Sequence, residues 1–300
     1  MQTSSLTTRK KIRDYYYVTK PNVISLLVFS GAAGYVASAG WHTSLFTLFI
    51  VAASVWLGSA SANTIGSYFD RDIDAIMRRT SRRPIPTGTI RADRAAEYGL
   101  VLLASSLALA FVFLGWESTV AMFAGFVDYT LVYSYWLKRR TWANILLGGF
   151  SGIMPVLVGY FAARSPVIPI ETGLFMGFLV FFWIPEHIWS LAVRYKEDYQ
   201  NAKIPMLPVV TSDKTAIRVI AITSLLMIVY SFIPVVYPTL VLHSVYLSTA
   251  AILGGAMLAL NVWLLREPSQ ARAWTVFKFS SPYLLFVFIG IVADILVYTH

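Results

Sequence analysis

The chain contains no cysteine. That excludes disulfides, Cys-ligated zinc and iron–sulfur sites, and any thiolate nucleophile. Charge is scarce as well: Asp, Glu, Lys and Arg make up 13% of 300 residues, and the 15 acidic groups are outnumbered by 24 basic ones. A chain this poor in charge, 57% hydrophobic and with a mean hydropathy of +0.64, does not dissolve as two soluble domains. It reads as one integral membrane domain over residues 1–300. Alternating ten-residue strands are missing too, since runs such as Leu100 to Leu114 are almost continuously apolar, and a β-barrel is thereby excluded. No basic stretch is interleaved with stacking aromatics on a soluble domain, so the net charge of +9 calls for no nucleic acid. No small-residue cleavage site precedes the first apolar run, and the basic N-terminus is expected to stay in place as an interfacial segment over residues 1–20.

What is abundant is apolar runs of spanning length, at 22–41, 43–69, 95–115, 118–137, 142–162, 170–194, 216–236, 240–265 and 276–298. They predict an all-α integral membrane protein of nine transmembrane helices. With the N-terminus inside, every Lys and Arg except Arg164 falls on the inner side, so the positive-inside rule predicts a cytoplasmic N-terminus and an external C-terminus. The loops 70–93 and 195–215 then both face the cytoplasm.

The second run ends in Asp70-Arg-Asp-Ile-Asp74, followed by Arg78, Arg79, Arg82 and Arg83 before Pro84. On a continued helix Asp70 and Asp74 share a face, with Asn63 two turns earlier on the same stripe and Asp72 pointing elsewhere. Two carboxylates on one face suit Mg²⁺, which takes few protein ligands and fills its shell with water and phosphate oxygens. Beside Lys and Arg, they read as a site for a metal-bound phosphate ester. A solvated juxtamembrane loop of charge pairs is the alternative. Lys20, held at the mouth of the first helix by Pro21, and Lys138, at the inner end of the fourth, are candidates to touch such an anion. Arg78 to Gly88 is long enough to fold over it.

A second polar focus lies on the sixth run. Helical spacing places His187, Leu191, Arg194 and Asp198 on one stripe, and Glu186, Ser190 and Glu197 on its neighbour. An Arg194–Asp198 pair and a satisfied interior histidine are the plain structural readings. Asp128 on the fourth run is expected to pair with a neighbouring helix. His243 and Asp294 are assigned to helix contacts or the outer interface, and the Gly148, Gly152 and Gly159 face to helix packing. A secondary transporter would instead use Asp128, Glu186, His187 and Asp294 as an ion path, but the charges concentrate at one membrane face and no inverted repeat is evident.

Asp70-Arg-Asp-Ile-Asp74 with Arg78-Arg-Thr-Ser-Arg-Arg-Pro84, Tyr135-Trp-Leu-Lys-Arg-Arg-Thr141 with Asn144, and Tyr195-Lys-Glu-Asp-Tyr199 with Ile204-Pro-Met-Leu-Pro208 resemble, in this order, the UbiA superfamily of intramembrane prenyltransferases. Within it they are most similar to the haem-farnesylating branch. The resemblance implies nine helices around a central cavity in the plasma membrane, farnesyl diphosphate and haem B as substrates, and Mg²⁺ on two acidic motifs. Haem A synthase or terminal-oxidase assembly is the implied downstream partner. Carried over by motif, Asp70, Asp74, Asp198 and Glu197 are metal ligands, and Lys20, Arg83 and Lys138 hold diphosphate. His187, which could ligate haem iron or fix a propionate, and Arg194 are counted among the substrate-binding residues, and a quinone precursor or another lipid is the alternative acceptor. Where the family's first motif has Asn four residues before its first Asp this chain has Gly66, and Asn63 is the amide expected to replace it. Glu186 stands where the family has Pro.

Overall fold

The computed structural model describes residues 11–299, so Thr7, Arg9 and Lys10 of the interfacial segment lie outside the described residues. A helical segment over 11–18 leads into α1 (Pro21–Ala39), which opens on a proline at its first turn, where no N–H is needed. Then follow α2 (Leu45–Phe69), α3 (Ala92–Phe113), α4 (Trp116–Val127, continuing as a π-wound stretch over Asp128–Leu137) and α5, built from Asn144–Leu147, a 3-10 stretch Gly148–Gly152 and Met154–Phe161. The remainder is α6 (Ile170–Arg194), α7 (Asp213–Ser231), α8 (Ser244–Arg266) and α9 (Gln270–Tyr298). Serine hydroxyls at Ser44, Ser212 and Ser269 accept the first free N–H groups of α2, α7 and α9.

Eight of these helices are long and apolar enough to cross a membrane. The expected nine therefore stand at eight plus α4, whose α-helical winding stops after twelve residues. Asp128 sits at that change of winding, where its Oδ2 accepts the Ser151 N–H of α5 at 2.7 Å. At the opposite end of the bundle Asp294 of α9 is fully buried and accepts the backbone N–H groups of His243 and Tyr246, at 2.7 and 2.9 Å, capping α8. In a bundle interior a helix start left without such a partner would be costly. Two of the three acids an ion path would need free are thus engaged in structure.

Consecutive helices pack on one another in a ring that α9 closes against α1. Three pairs cross-brace it, α1 with α5, α6 with α9 and α2 with α4. Inside is a cavity of about 460 Å³ lined from α1, α2, α4, α5, α6 and α9, with α3, α7 and α8 standing behind. Because successive helices run in opposite directions, the start of α1 and the ends of α2, α4 and α6 gather at one rim. Arg164 alone among the described Lys and Arg lies in the connections at the other end.

The α1–α5 brace is a backbone contact. A Cβ at Gly159 would lie 1.9 Å from the Gly31 carbonyl oxygen, and one at Gly34 would lie 2.5 Å from that of Val156. On the small-residue face of α5 Gly159 therefore packs against backbone, with no flexible side chain to yield, whereas Gly148 and Gly152 also line the cavity. Gly159→Ala is expected to separate the two helices and destabilise the bundle by about 1 to 3 kcal/mol, the usual range for overpacking. Thermal unfolding in detergent should show a midpoint several degrees lower; an unchanged midpoint would mean the helices are farther apart than this.

Candidate active site

Helix α2 ends at Phe69, and Asp70 forms its C-cap before a short helix, Arg71–Ile76, carries the chain on. The Asp74 N–H still donates to the Asp70 carbonyl at 2.7 Å, so the one-turn spacing survives the break. Both carboxylates are 3% exposed, and each meets a cation. Lys138 Nζ donates to Asp70 Oδ2 at 2.5 Å, while Arg83 Nη1 donates to both oxygens of Asp74 at 3.0 and 2.8 Å. Asp70 Oδ1 is buried and has no hydrogen-bond partner. Asp72 points away, as its position predicts, and forms a two-pronged pair with Arg139 at 2.7 and 2.6 Å that holds its carboxyl down at about 2.

Lys20 caps α1 in the left-handed backbone conformation, φ 57°, which turns it inward over the rim. Burial, with Arg83 adding to it, pulls its ammonium down to about 7, while Asp74 and Asp70 act in the opposite direction. Burial opposes Lys138 too, but the Asp70 carboxylate outweighs it and leaves that ammonium above its ordinary value. The difference is geometric, since Lys138 has a direct carboxylate partner.

The segment after Asp74 folds across the rim. Thr80 Oγ1 donates to the Asp74 carbonyl at 3.0 Å, and Ile85 and Ile90 bury against Val18 and Ala95. This carries Arg78 and Arg79 to the second acidic motif, where their backbone N–H groups donate to Asp198 Oδ1 and Oδ2 at 3.3 and 3.1 Å. Asp198 is 7% exposed. The two motifs, 124 residues apart between Asp74 and Asp198, are therefore linked through one loop.

Not every expected residue arrives there. Helix α6 ends at Arg194, and Asp198 belongs to a separate short helix, Lys196–Asn201, so the stripe from His187 to Asp198 is broken and the Arg194–Asp198 pair does not form. Arg194 is exposed, with its guanidinium 5.8 Å above the Trp274 ring. Glu197 is exposed and makes no hydrogen bond or ion pair among the described residues. Asn63 does face the cavity, where its Oδ1 accepts the Tyr129 hydroxyl at 3.2 Å. His187 lines the same cavity on α6. Glu186 turns the other way and is fully buried, with Ser190 Oγ donating to its Oε1 at 3.3 Å. Tyr129 and Tyr133 escaped the sequence reading. Both line the cavity close to the rim, and Lys138 Nζ lies 5.8 Å from the centre of the Tyr133 ring. Their spacing of one turn on the run that ends at Lys138 was the available signal.

Residues 27–290 match the model of the UbiA prenyltransferase family. The chain is 38% identical over 301 residues to protoheme IX farnesyltransferase 2 of Cenarchaeum symbiosum (strain A), covering 95% of this chain and 96% of that one. It is 41% identical over 291 residues to the protoheme IX farnesyltransferase of Desulforudis audaxviator (strain MP104C), covering 96% and 90%. Among solved structures, that of a digeranylgeranylglyceryl phosphate synthase shares the fold with a TM-score of 0.77 at 19% identity, over 96% of this chain and 99% of that one. A UbiA homolog from Archaeoglobus fulgidus bound to GPP and Mg²⁺ gives a TM-score of 0.67 at 17% identity, over 93% and 99%.

Lys20 supplies a test of the rim. With its ammonium near 7 when the site holds no anion, binding of an anion that requires the charged form takes up a proton above that pH. The affinity for inorganic diphosphate in excess Mg²⁺ is expected to fall by up to about tenfold per pH unit above 7.5. Lys20→Met should bind more weakly and lose this slope. Calorimetry in buffers of different ionisation heat reads both; equal slopes in the two proteins would remove Lys20 from the anion site.

Proposed function

The chain belongs to the UbiA prenyltransferase family, and on that premise we propose that it transfers a farnesyl group from farnesyl diphosphate to a vinyl group of haem B, releasing diphosphate. The observation that carries the reading is the rim itself: two buried carboxylates one turn apart, ringed by Lys20, Arg83 and Lys138, at the mouth of an apolar cavity. Side-chain charge sits at the rim and space for a hydrocarbon chain lies below it.

The donor set fits Mg²⁺. Asp70 and Asp74 offer hard carboxylate oxygens, Asp70 Oδ1 is without a partner, and no three acidic or His side chains converge among the described residues to cage an ion unaided. That suits a cation that keeps phosphate and water in its shell. Asp70 with Asp74 would hold one Mg²⁺ and Asp198, with Glu197 at the outer edge, a second; bound there they would stabilise charge on the departing diphosphate. Lys20, Arg83 and Lys138 hold the phosphate oxygens by charge-assisted hydrogen bonds that strengthen as the allylic C–O bond breaks. Tyr129 and Tyr133 line the cavity below the rim, where the first isoprene unit of a bound donor would lie, and a cation developing there would meet π faces in place of water. Asn63, fixed by the Tyr129 hydroxyl, orients that wall. The vinyl carbon is the nucleophile, and water completes the hydroxyethyl group.

With α4 as the ninth span, the rim faces the cytoplasm of a plasma membrane on the positive-inside rule, and the C-terminus lies outside. The farnesylated haem would pass to haem A synthase or a terminal oxidase.

Asp70→Asn, Asp74→Asn and Asp198→Asn are each expected to lower turnover at least a hundredfold while leaving the protein inserted and folded. The assay is mass spectrometry of haem after incubation with farnesyl diphosphate and excess Mg²⁺. Wild-type turnover in any variant removes that residue from the site, and a wild-type protein that farnesylates a quinone precursor but not haem overturns the acceptor.

A further inference from the structure

On the α6–α9 wall of the cavity His187 is held between two rings. Trp183 stacks on one face with centroids 4.1 Å apart, and Phe277 covers the other at 4.4 Å. Only the edges of the imidazole are left to make polar contacts. Its Nδ1 lies 2.6 Å from Ser280 Oγ, and that hydroxyl donates to the Phe277 carbonyl at 2.8 Å. Ser280 is fixed from a further side, because its carbonyl accepts the Trp183 indole N–H at 2.8 Å.

These contacts select a tautomer. A serine hydroxyl has one proton, and a carbonyl only accepts. The Ser280 proton goes to Phe277, so the proton between Ser280 and His187 belongs to the imidazole Nδ1. In the uncharged ring Nε2 is then a bare lone pair, and it has no hydrogen-bond partner among the described residues. An imidazole whose N–H is anchored to a fixed oxygen while its other nitrogen faces a cavity is the arrangement that metal-ligating histidines adopt.

An amphipathic iron porphyrin offers such a ring two kinds of partner. A propionate needs an N–H donor, and this ring has already given its own to Ser280. Iron needs a lone pair, and the ring has one to offer. We propose that His187 Nε2 is the axial ligand of the iron of the acceptor porphyrin, with Ser280 as the positioning residue that fixes its tautomer and plane. The assignment rests on the haem-accepting reading above and adds to it the point at which the acceptor is held. It places the porphyrin centre on the α6–α9 wall, away from Asp70 and Asp74, so donor and acceptor are held by separate residues.

Titration of the purified full chain with ferric haem B tests this. The wild-type spectrum should be that of an imidazole-ligated haem. In His187→Ala that spectrum is lost, affinity for haem falls about tenfold to a hundredfold, and added imidazole restores the spectrum; Ser280→Ala gives a smaller loss. Metal-free protoporphyrin IX should bind wild type and His187→Ala equally, since it has no iron to ligate. In turnover, the KM for haem rises and that for farnesyl diphosphate does not. An unchanged haem spectrum and affinity in His187→Ala overturns the assignment, and so does an equal loss of metal-free porphyrin, which would make the ring a packing contact. Either leaves haem farnesylation standing, whereas a wild-type protein that neither binds nor farnesylates haem removes the function and this inference together. Binding of a farnesyl diphosphate analogue reports whether His187→Ala has folded; if it has not, the Ser280→Ala spectrum decides, and no change there overturns the assignment.

Discussion

A carboxylate taken out of water must meet a cation or ordered dipoles, and at the inner rim of this bundle three carboxylates do so through residues far away in sequence. Lys138 reaches Asp70 from the end of α4, Arg83 reaches Asp74 from the following loop, and backbone N–H groups of Arg78 and Arg79 reach Asp198. Removing one partner from such a part-buried pair leaves the other charge without its counter-charge, which is destabilising. These contacts therefore fix the ends of α2 and α4, the 77–90 loop and the segment after α6 in one arrangement. Below them the cavity follows from that closure, since α1, α2, α4 and α6 all deliver their inner ends to the same place.

The same pairs carry a functional consequence. The groups that suit a metal are held by the groups that suit a diphosphate, so the charges of the rim neutralise one another. A metal–diphosphate complex offers each partner an exchange: carboxylate to metal, ammonium and guanidinium to phosphate. Lys20 is the exception, with no carboxylate in hydrogen-bond contact among the described residues, and burial pulls its ammonium down toward neutrality. On the proposed function it is the group that would gain most from an arriving diphosphate.

Much of this was legible in the sequence, for identifiable reasons. Long apolar runs announce membrane helices because a bilayer interior tolerates little else, and the pairing of Asp70 with Asp74 survives a change of helix because one turn of spacing is local geometry. The one-sided Lys and Arg distribution matches the gathering of α1, α2, α4 and α6 ends. What failed was extrapolation through helix ends. The stripe from His187 to Asp198 assumes continuous helix, yet α6 stops at Arg194, which sends Arg194 to Trp274 and leaves Glu197 exposed. The loop contacts to Asp198 come from backbone N–H groups, which every residue has and no side-chain pattern marks. Tyr129 and Tyr133 were hidden among 17 tyrosines until the winding of α4 showed which ones face inward.

The exchange of partners at the rim is tested most directly by calorimetric titration with farnesyl thiodiphosphate, with and without Mg²⁺. Mutual neutralisation predicts strongly coupled binding. Either component alone leaves the Asp70–Lys138 and Asp74–Arg83 pairs closed and binds at least a hundredfold more weakly than in the presence of the other, a coupling of about 3 kcal/mol. Equal affinity for the analogue with and without Mg²⁺ would contradict it, because the cations would then be free to take diphosphate without any exchange at Asp70 and Asp74.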